Sequence, residues 1–339
     1  RPPSNSKPLS NHINIMKTLL TGANGLVGST MTAEVRFCGR KPPLPNYKEQ
    51  GRRWVDLRSF PETLNAFIET KPTHVIHTAA RVGGLGANMN YMGEFFYDNM
   101  LINLNVLECA RRTGVEKVVS FLSTCIFPDK VEYPITEDKL HEGEPHCSNY
   151  GYAYAKRMLE VQSRAYNQQY GVSVEDGNMK FPVKYVNVIP TNIYGPNDNF
   201  HLENSHVVPA LIHKCYLAKR DDTPLVIWGS GKPLREFIYS EDVGELTQLI
   251  SEHYESTEPI ILSTSEEYSI RELAMAVVTA MDFKGRVVFE ADKPDGQYRK
   301  STCNIRLLDF VPEYKFTPLE EGIKKTVDWF VENYEECRK

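Results

Sequence analysis

"KTLLTGANGLVG", residues 17–28, decides the fold of this 339-residue chain. A short apolar run, read as a buried strand, ends in Gly22, Gly25 and Gly28, spaced G-x-x-G-x-x-G. Such glycines allow a tight turn and a close approach of backbone to a pyrophosphate. The next stretch, "GLVGSTMTAEVRF" at 25–37, reads as a helix. Its N-terminus would offer free N–H groups and the positive end of a dipole. The spacing alone also fits a plain strand-to-helix turn; a strand before it and a helix after it favour a dinucleotide site.

Outward from that loop, strands and helices alternate. "SFPETLNAFIET" starts a helix, with Ser59 as cap, Pro61 just inside and Glu62 in the first turn. "THVIHTAA" and "EKVVSFLS" are apolar strands. "EFFYDNMLINLNVLECARRTG" is a long amphipathic helix stopped at Gly114, and "YAYAKRMLEVQSRAYNQQYG" another closed by Gly171. "VKYVNVIPTNIYG" is a strand running into a loop. Alternation over 16–195 predicts a Rossmann-type, doubly wound parallel sheet of the α/β class. From 196 to 339 the rhythm breaks into a smaller α/β lobe suited to binding a substrate, with some elements returning to the first domain. Residues 1–15 are polar and without period, so they read as a disordered extension or appended residues, and Met16 as a start.

Composition narrows the function. Net charge is −5, with no basic patch for nucleic acid and no apolar run near membrane-spanning length. The seven cysteines are scattered, odd in number and free of CxxC pairs. That argues against a disulfide framework or a metal site and for a reducing cytoplasm.

Two further motifs carry chemistry. In "YAYAK", Tyr152 lies four residues before Lys156, so both share one helix face. A lysine there is expected to lower the phenol's pKa and hold a nicotinamide ribose, while the phenol protonates a carbonyl as hydride arrives. Ser123, at the end of the preceding strand, can donate to the same carbonyl. Tyr154, two residues from Lys156, points elsewhere. Cys125, in "SFLSTCIFP", is either a buried inert thiol or a working acid/base.

The glycine loop, Ser123 and the Tyr152/Lys156 pair together resemble the extended short-chain dehydrogenase/reductases. The blocks "ARVGGL", "LSTCIFPDK", "GYAYAKRM", "IPTNIYGPNDNF", "SHVVPALIHK", "VIWGSGKPLREFIY" and "KPDGQYRK" are similar, more closely, to the branch that turns GDP-4-keto-6-deoxymannose into GDP-L-fucose. That resemblance covers residues 16–339 nearly throughout. It implies an NADPH-dependent homodimer acting on a GDP-sugar. Cys125 would be the base and His206 the acid of a 3,5-epimerisation, followed by 4-keto reduction with Tyr152, Lys156 and Ser123. It further implies cofactor contacts at Asn24, Leu26, Val27, Ala79, Ala80, Lys156, Pro190, Asn192, Ile193 and His206. Substrate contacts would be Lys214, Trp228, Arg235, Asp295 and Arg299, cations suiting a diphosphate. His201 is read as a loop or pocket-wall residue. Other readings are a nucleotide-sugar 4,6-dehydratase or 4-epimerase, and a dinucleotide-sensing scaffold without chemistry. Ser123-Thr124-Cys125 stands where a dehydratase should carry an Asp-Glu pair, and a scaffold should have lost Tyr152 or Lys156.

Two stretches depart from that pattern. Residues 34–58 lack a clear second strand with an acid for a ribose; "RRWVDL" is at best a truncated one. Arg36, Arg40, Arg52 and Arg53 lie there instead, favouring NADP over NAD or forming a solvated face. Residues 172–183 look like an inserted surface loop.

Overall fold

The computed structural model describes residues 16–38, 52–171, 183–291 and 298–339. The elements run β1 (Thr18–Thr21), β2 (Val35–Cys38), β3 (Arg52–Trp54), α1 (Phe60–Thr70), β4 (His74–His77), α2 (Leu85–Asn90), α3 (Met92–Thr113), β5 (Lys117–Phe121), α4 (Tyr150–Tyr170), β6 (Lys184–Pro190) and β7 (Asn192–Tyr194). They continue α5 (Val207–Arg220), β8 (Leu225–Trp228), β9 (Leu234–Tyr239), α6 (Ser240–His253), β10 (Ile260–Leu262), β11 (Glu267–Ser269), α7 (Ile270–Ala280), β12 (Val287–Glu290), α8 (Ile305–Phe310) and α9 (Leu319–Glu332).

Seven strands form one parallel sheet in the order β10-β6-β5-β4-β1-β2-β3. Its central strands are buried rather than wholly apolar: every residue of β5, Lys117 and Ser120 included, is buried. Helices cover both faces of the sheet, so such polar side chains need internal partners. One face buries Phe37, Phe67, Val106 and Leu159 under α1, α3 and α4. The other buries Leu20, Val119, Val243 and Leu246 under α6. A separate core of Phe200, Ile212, Leu273, Ile323 and Phe330 serves α5, α7, α9 and the short sheets β11-β9-β7 and β12-β8. The chain crosses back: β10 extends the large sheet, and Lys117 on β5 donates to the carbonyls of Ile250 and Tyr254 at the end of α6. The strand order reverses between β1 and β4, the switch point outside which ligands of such sheets bind.

The helix expected over 25–37 does not form. Gly28–Thr30 makes one 3-10 turn, and by Val35 the chain is already a strand. β2 pairs with β1, and the Phe37 carbonyl accepts from the amides of Gly22 and Ala23 at 3.0 and 3.3 Å. Sheet pairing of Val35, Phe37 and Cys38 outweighs the weak local preference for helix. The expectation about 34–58 also needs correcting. A second strand is present, read from "VRFC", and "RRW" is the third strand, at the sheet edge. Residues 1–15, Arg40 and Asp295 lie outside the described residues, as does the presumed insertion apart from Val183.

Candidate active site

The glycine loop fits a dinucleotide. Gly22 has φ +71°, and a Cβ there would stand 2.6 Å from Thr78 Oγ1 and 2.8 Å from the Ala79 amide. A Cβ on Gly28 would stand 2.2 Å from the Gly22 carbonyl oxygen. The loop therefore folds on its own backbone and abuts the end of β4, bringing Ala79 and Ala80 to the switch point. Thr21 Oγ1 accepts from the Ala79 amide at 3.2 Å and meets His77 Nδ1 at 2.8 Å. His77, pulled down to about 3 by burial and the Lys156 charge, stays neutral. The amides of Leu26 and Val27 make no hydrogen bond among the described residues. Asn24 is exposed and Val27 buried. What the loop lacks is a long helix behind it: one 3-10 turn aligns few peptide dipoles.

The reactive groups gather where β5 ends. Ser123 caps the 3-10 turn Thr124–Ile126, its Oγ accepting from the Cys125 amide at 3.4 Å. Tyr152 sits in the first turn of α4, with Phe95 edge-on at 6.4 Å. One turn on, Lys156 Nζ lies 5.9 Å from the Tyr152 ring centroid and donates to the Phe121 carbonyl at 2.6 Å. Burial, then the Cys125 thiolate, push the Tyr152 phenol upward. That corrects the expectation of a lowered phenol: a neutral phenol is the form that can give a proton. Burial draws Lys156 down to about 8, opposed by Cys125. Burial raises the Cys125 thiol, while the Ser123 hydroxyl, Lys300 and Lys156 pull it back. These groups share one electrostatic neighbourhood.

His206 stands apart but is joined to the cluster by packing. It caps α5 and is exposed. Between it and Tyr152 runs the "VGGL" loop. A Cβ on Gly83 would meet the Phe95 ring at 3.1 Å, and one on Gly84 the Ser205 carbonyl at 2.6 Å. The Gly84 amide donates to the Asn204 carbonyl at 2.8 Å. His201 braces the separate segment that leads into α5, its Nδ1 accepting from the amides of Glu203 and Asn204. Asp198, raised to about 6 by burial and drawn down by His206, leaves Oδ2 without a partner among the described residues.

Pro190 ends β6, Asn192 Nδ2 donates to the Glu236 carbonyl at 2.8 Å, and Ile193 packs against the α6-side core. Lys214 Nζ lies 5.1 Å from the ring of Trp228, which is 68 % exposed. Arg235 is drawn down by burial, with the Tyr133 charge opposing. Arg299 is not poised for a diphosphate: its guanidinium pairs with Glu267 and lies at the surface. The adjacent Lys300, overlooked in the sequence, is the inward residue. Burial lowers it; Cys125 and Asp129 raise it and Arg235 lowers it. It thus links the reactive cluster to the Arg235 side. Its position in "KPDGQYRK" was the available signal. Of the arginines near the second strand, Arg53 is committed to Glu69 and Arg36 donates to the Met31 carbonyl.

The doubly wound sheet and its glycine loop are those of a dinucleotide-dependent enzyme class, and the comparisons narrow it. The profile of the NAD dependent epimerase/dehydratase family matches residues 18–268. A GDP-L-fucose synthase of Dictyostelium discoideum is 48% identical, covering 95% of this chain and 97% of its own. A probable GDP-L-fucose synthase of Drosophila melanogaster is 46% identical, covering 95% and 99%. The crystal structure of a GDP-L-fucose synthetase from Naegleria fowleri bound to NADP superposes with a TM-score of 0.83 at 42% identity, over 96% of this chain and 97% of that one. The chain belongs to the NAD dependent epimerase/dehydratase family and, within it, to the GDP-L-fucose synthases. No helix among the described residues is long and apolar enough to cross a membrane.

Proposed function

We propose that this chain converts GDP-4-keto-6-deoxymannose to GDP-L-fucose in two steps, with NADP(H) as cofactor. The protons at C3 and C5 are acidic because both carbons flank the C4 ketone. At each of the two carbons Cys125, as thiolate, takes the proton and His206 delivers one to the opposite face of that same carbon. The thiol then loses its proton to solvent and the imidazole regains one before the second carbon reacts. NADPH, when bound, supplies the hydride that reaches C4. Tyr152 gives its phenolic proton to the C4 oxygen, and Ser123 donates a hydrogen bond to that oxygen. Lys156 would hold the ribose, and the Leu26 and Val27 amides the diphosphate of the cofactor. Lys214, Trp228, Arg235 and Lys300 would hold the GDP moiety.

The observation that carries this reading is a thiol and a phenol in one half-buried cluster, Cys125 and Tyr152, in a chain 48% identical to a GDP-L-fucose synthase. A plain ketoreductase has no use for that thiol. The test is product analysis after incubation with NADPH and the keto sugar. GDP-L-fucose is expected; a reduced sugar with unchanged C3 and C5 overturns the epimerase half.

The apolar groove between α3 and α4, lined by Met100, Leu104, Met158, Val161 and Ala165, supports a homodimer formed by these helices. Sedimentation should give a dimer that Leu104→Arg dissociates; a monomeric wild type would remove the dimer from this reading. Seven free cysteines fit a cytoplasmic location, and fractionation of tagged protein would test it.

A further inference from the structure

Arg157 is a buried cation that the chemistry above leaves unused. It follows Lys156 on α4 and is 5% exposed. Its Nε donates to the Ile126 carbonyl at 2.5 Å, one residue past Cys125 in the 3-10 turn. Its Cζ lies 5.4 Å from the Tyr154 ring centroid. Nη2 is buried with no hydrogen-bond partner among the described residues.

That arrangement is costly. A buried donor left unpaired and a charge taken out of water both disfavour it unless something offsets them. A neutral amide would hold the Ile126 carbonyl as well. The charge itself therefore needs a use. Besides the Tyr154 phenol, the acidic groups whose charge reaches Arg157 are Cys125 and Glu144. Glu144 is exposed, so solvent screens it. Cys125 is the one packed into the same turn. The other groups facing Cys125 are Ser123, Tyr152, Lys156 and Lys300. Lys300 and Lys156 are the leading cations on Cys125, and Arg157 adds its charge to theirs from the side of the Ile126 carbonyl.

We propose that Arg157 is a positioning residue for Cys125, fixing the Thr124–Ile126 turn through the Ile126 carbonyl and adding to the positive charge that favours the thiolate. The inference deepens the reading of Cys125 as the epimerisation base and rests on it for its catalytic meaning.

The experiment is the pH dependence of iodoacetamide alkylation at Cys125, followed by mass spectrometry of its peptide. It compares wild type, Arg157→Gln and Arg157→Lys, with NADPH binding as the check of folding. Arg157→Gln should move the midpoint up by about one unit, slowing alkylation about tenfold at pH below both midpoints. Arg157→Lys should stay within about threefold of wild type, since it keeps the charge. Proton exchange at C3 and C5 should fall in parallel with alkylation. A folded Arg157→Gln with the wild-type profile overturns the proposal and leaves Arg157 a structural residue. If Arg157→Gln does not fold, Arg157→Lys decides alone: a tenfold slowing overturns the proposal and a near-wild-type profile supports it. A shifted alkylation profile with unchanged exchange supports the role of Arg157 and removes Cys125 from epimerisation.

Discussion

Between β5 and α4 the chain places its reactive groups with two long, regular elements. Between β1 and β2 it places its cofactor loop with one 3-10 turn of three residues. The first region is cross-braced. Lys156 and Arg157, adjacent on α4, donate to carbonyls before and after Ser123, at Phe121 and Ile126. The second is held by backbone: Phe37 accepts from Gly22 and Ala23, and Gly28 lies against Gly22. On the proposed reading, side chains set the chemistry at one end and glycine geometry the binding at the other. Substitutions should separate the two.

The largest effect is expected at Tyr152. Tyr152→Phe removes the proton donor and should slow reduction about 10²–10⁴-fold, with NADPH binding kept. Unchanged NADPH consumption with the keto sugar would break the assignment. Cys125→Ser comes next. Deuterium exchange at C3 and C5 should fall about 10²-fold or more, while a substrate already epimerised is still reduced. Exchange at the wild-type rate would return Cys125 to the class of buried inert thiols.

At the other end, Gly28→Ala forces a methyl group against the Gly22 carbonyl. A backbone clash of that kind should cost about 1–3 kcal/mol of stability and weaken NADPH binding by a comparable amount. A variant with wild-type melting temperature and affinity would mean that the loop is looser than its geometry.

Lys156 ties the two ends together through pH. Its pKa of about 8 in the fold lies below the ordinary lysine value. The charged form, which we propose holds a ribose, predominates below pH 8, so NADPH binding should weaken about tenfold per unit above it. Folding stability moves the other way. The unfolded chain binds the proton more tightly, so between pH 8 and the ordinary lysine pKa stability rises with pH. Titrating binding and melting temperature together distinguishes loss of the charge from unfolding; a flat binding profile from pH 7 to 9 would remove Lys156 from the cofactor.

The same contrast explains what the sequence revealed. β5, α3 and α4 were legible because hydrophobic period and the glycine stops at 114 and 171 agree with the packing. Tyr152, Lys156, Ser123 and Cys125 followed, since strand end and helix turn fix them locally. β2 was not legible. Val35 and Phe37 favour a strand, but four residues at the end of a longer helix-like run are too short a signal, and pairing with β1 decides the outcome. Lys300 was missed for a related reason. Nothing local tells Arg299 from Lys300; the Glu267 carboxylate, 32 residues away, draws the arginine to the surface.

The smallest effect tests the basic residues near the second strand. Composition suggested that these arginines grip a 2′-phosphate, but Arg53 is paired with Glu69 at 2.5 Å on the solvent side. An exposed pair of this kind is worth about 0–1 kcal/mol. Arg53→Ala should therefore lower stability by less than about 1 kcal/mol and leave the KM for NADPH unchanged. Glu69→Ala should match it in stability, because each variant breaks the same pair. If Arg53→Ala instead raises the KM for NADPH tenfold while Glu69→Ala does not, the arginine leaves its partner to bind the cofactor. The cofactor end would then depend on side-chain charge as the chemical end does, and the contrast between the two regions would fail at that point.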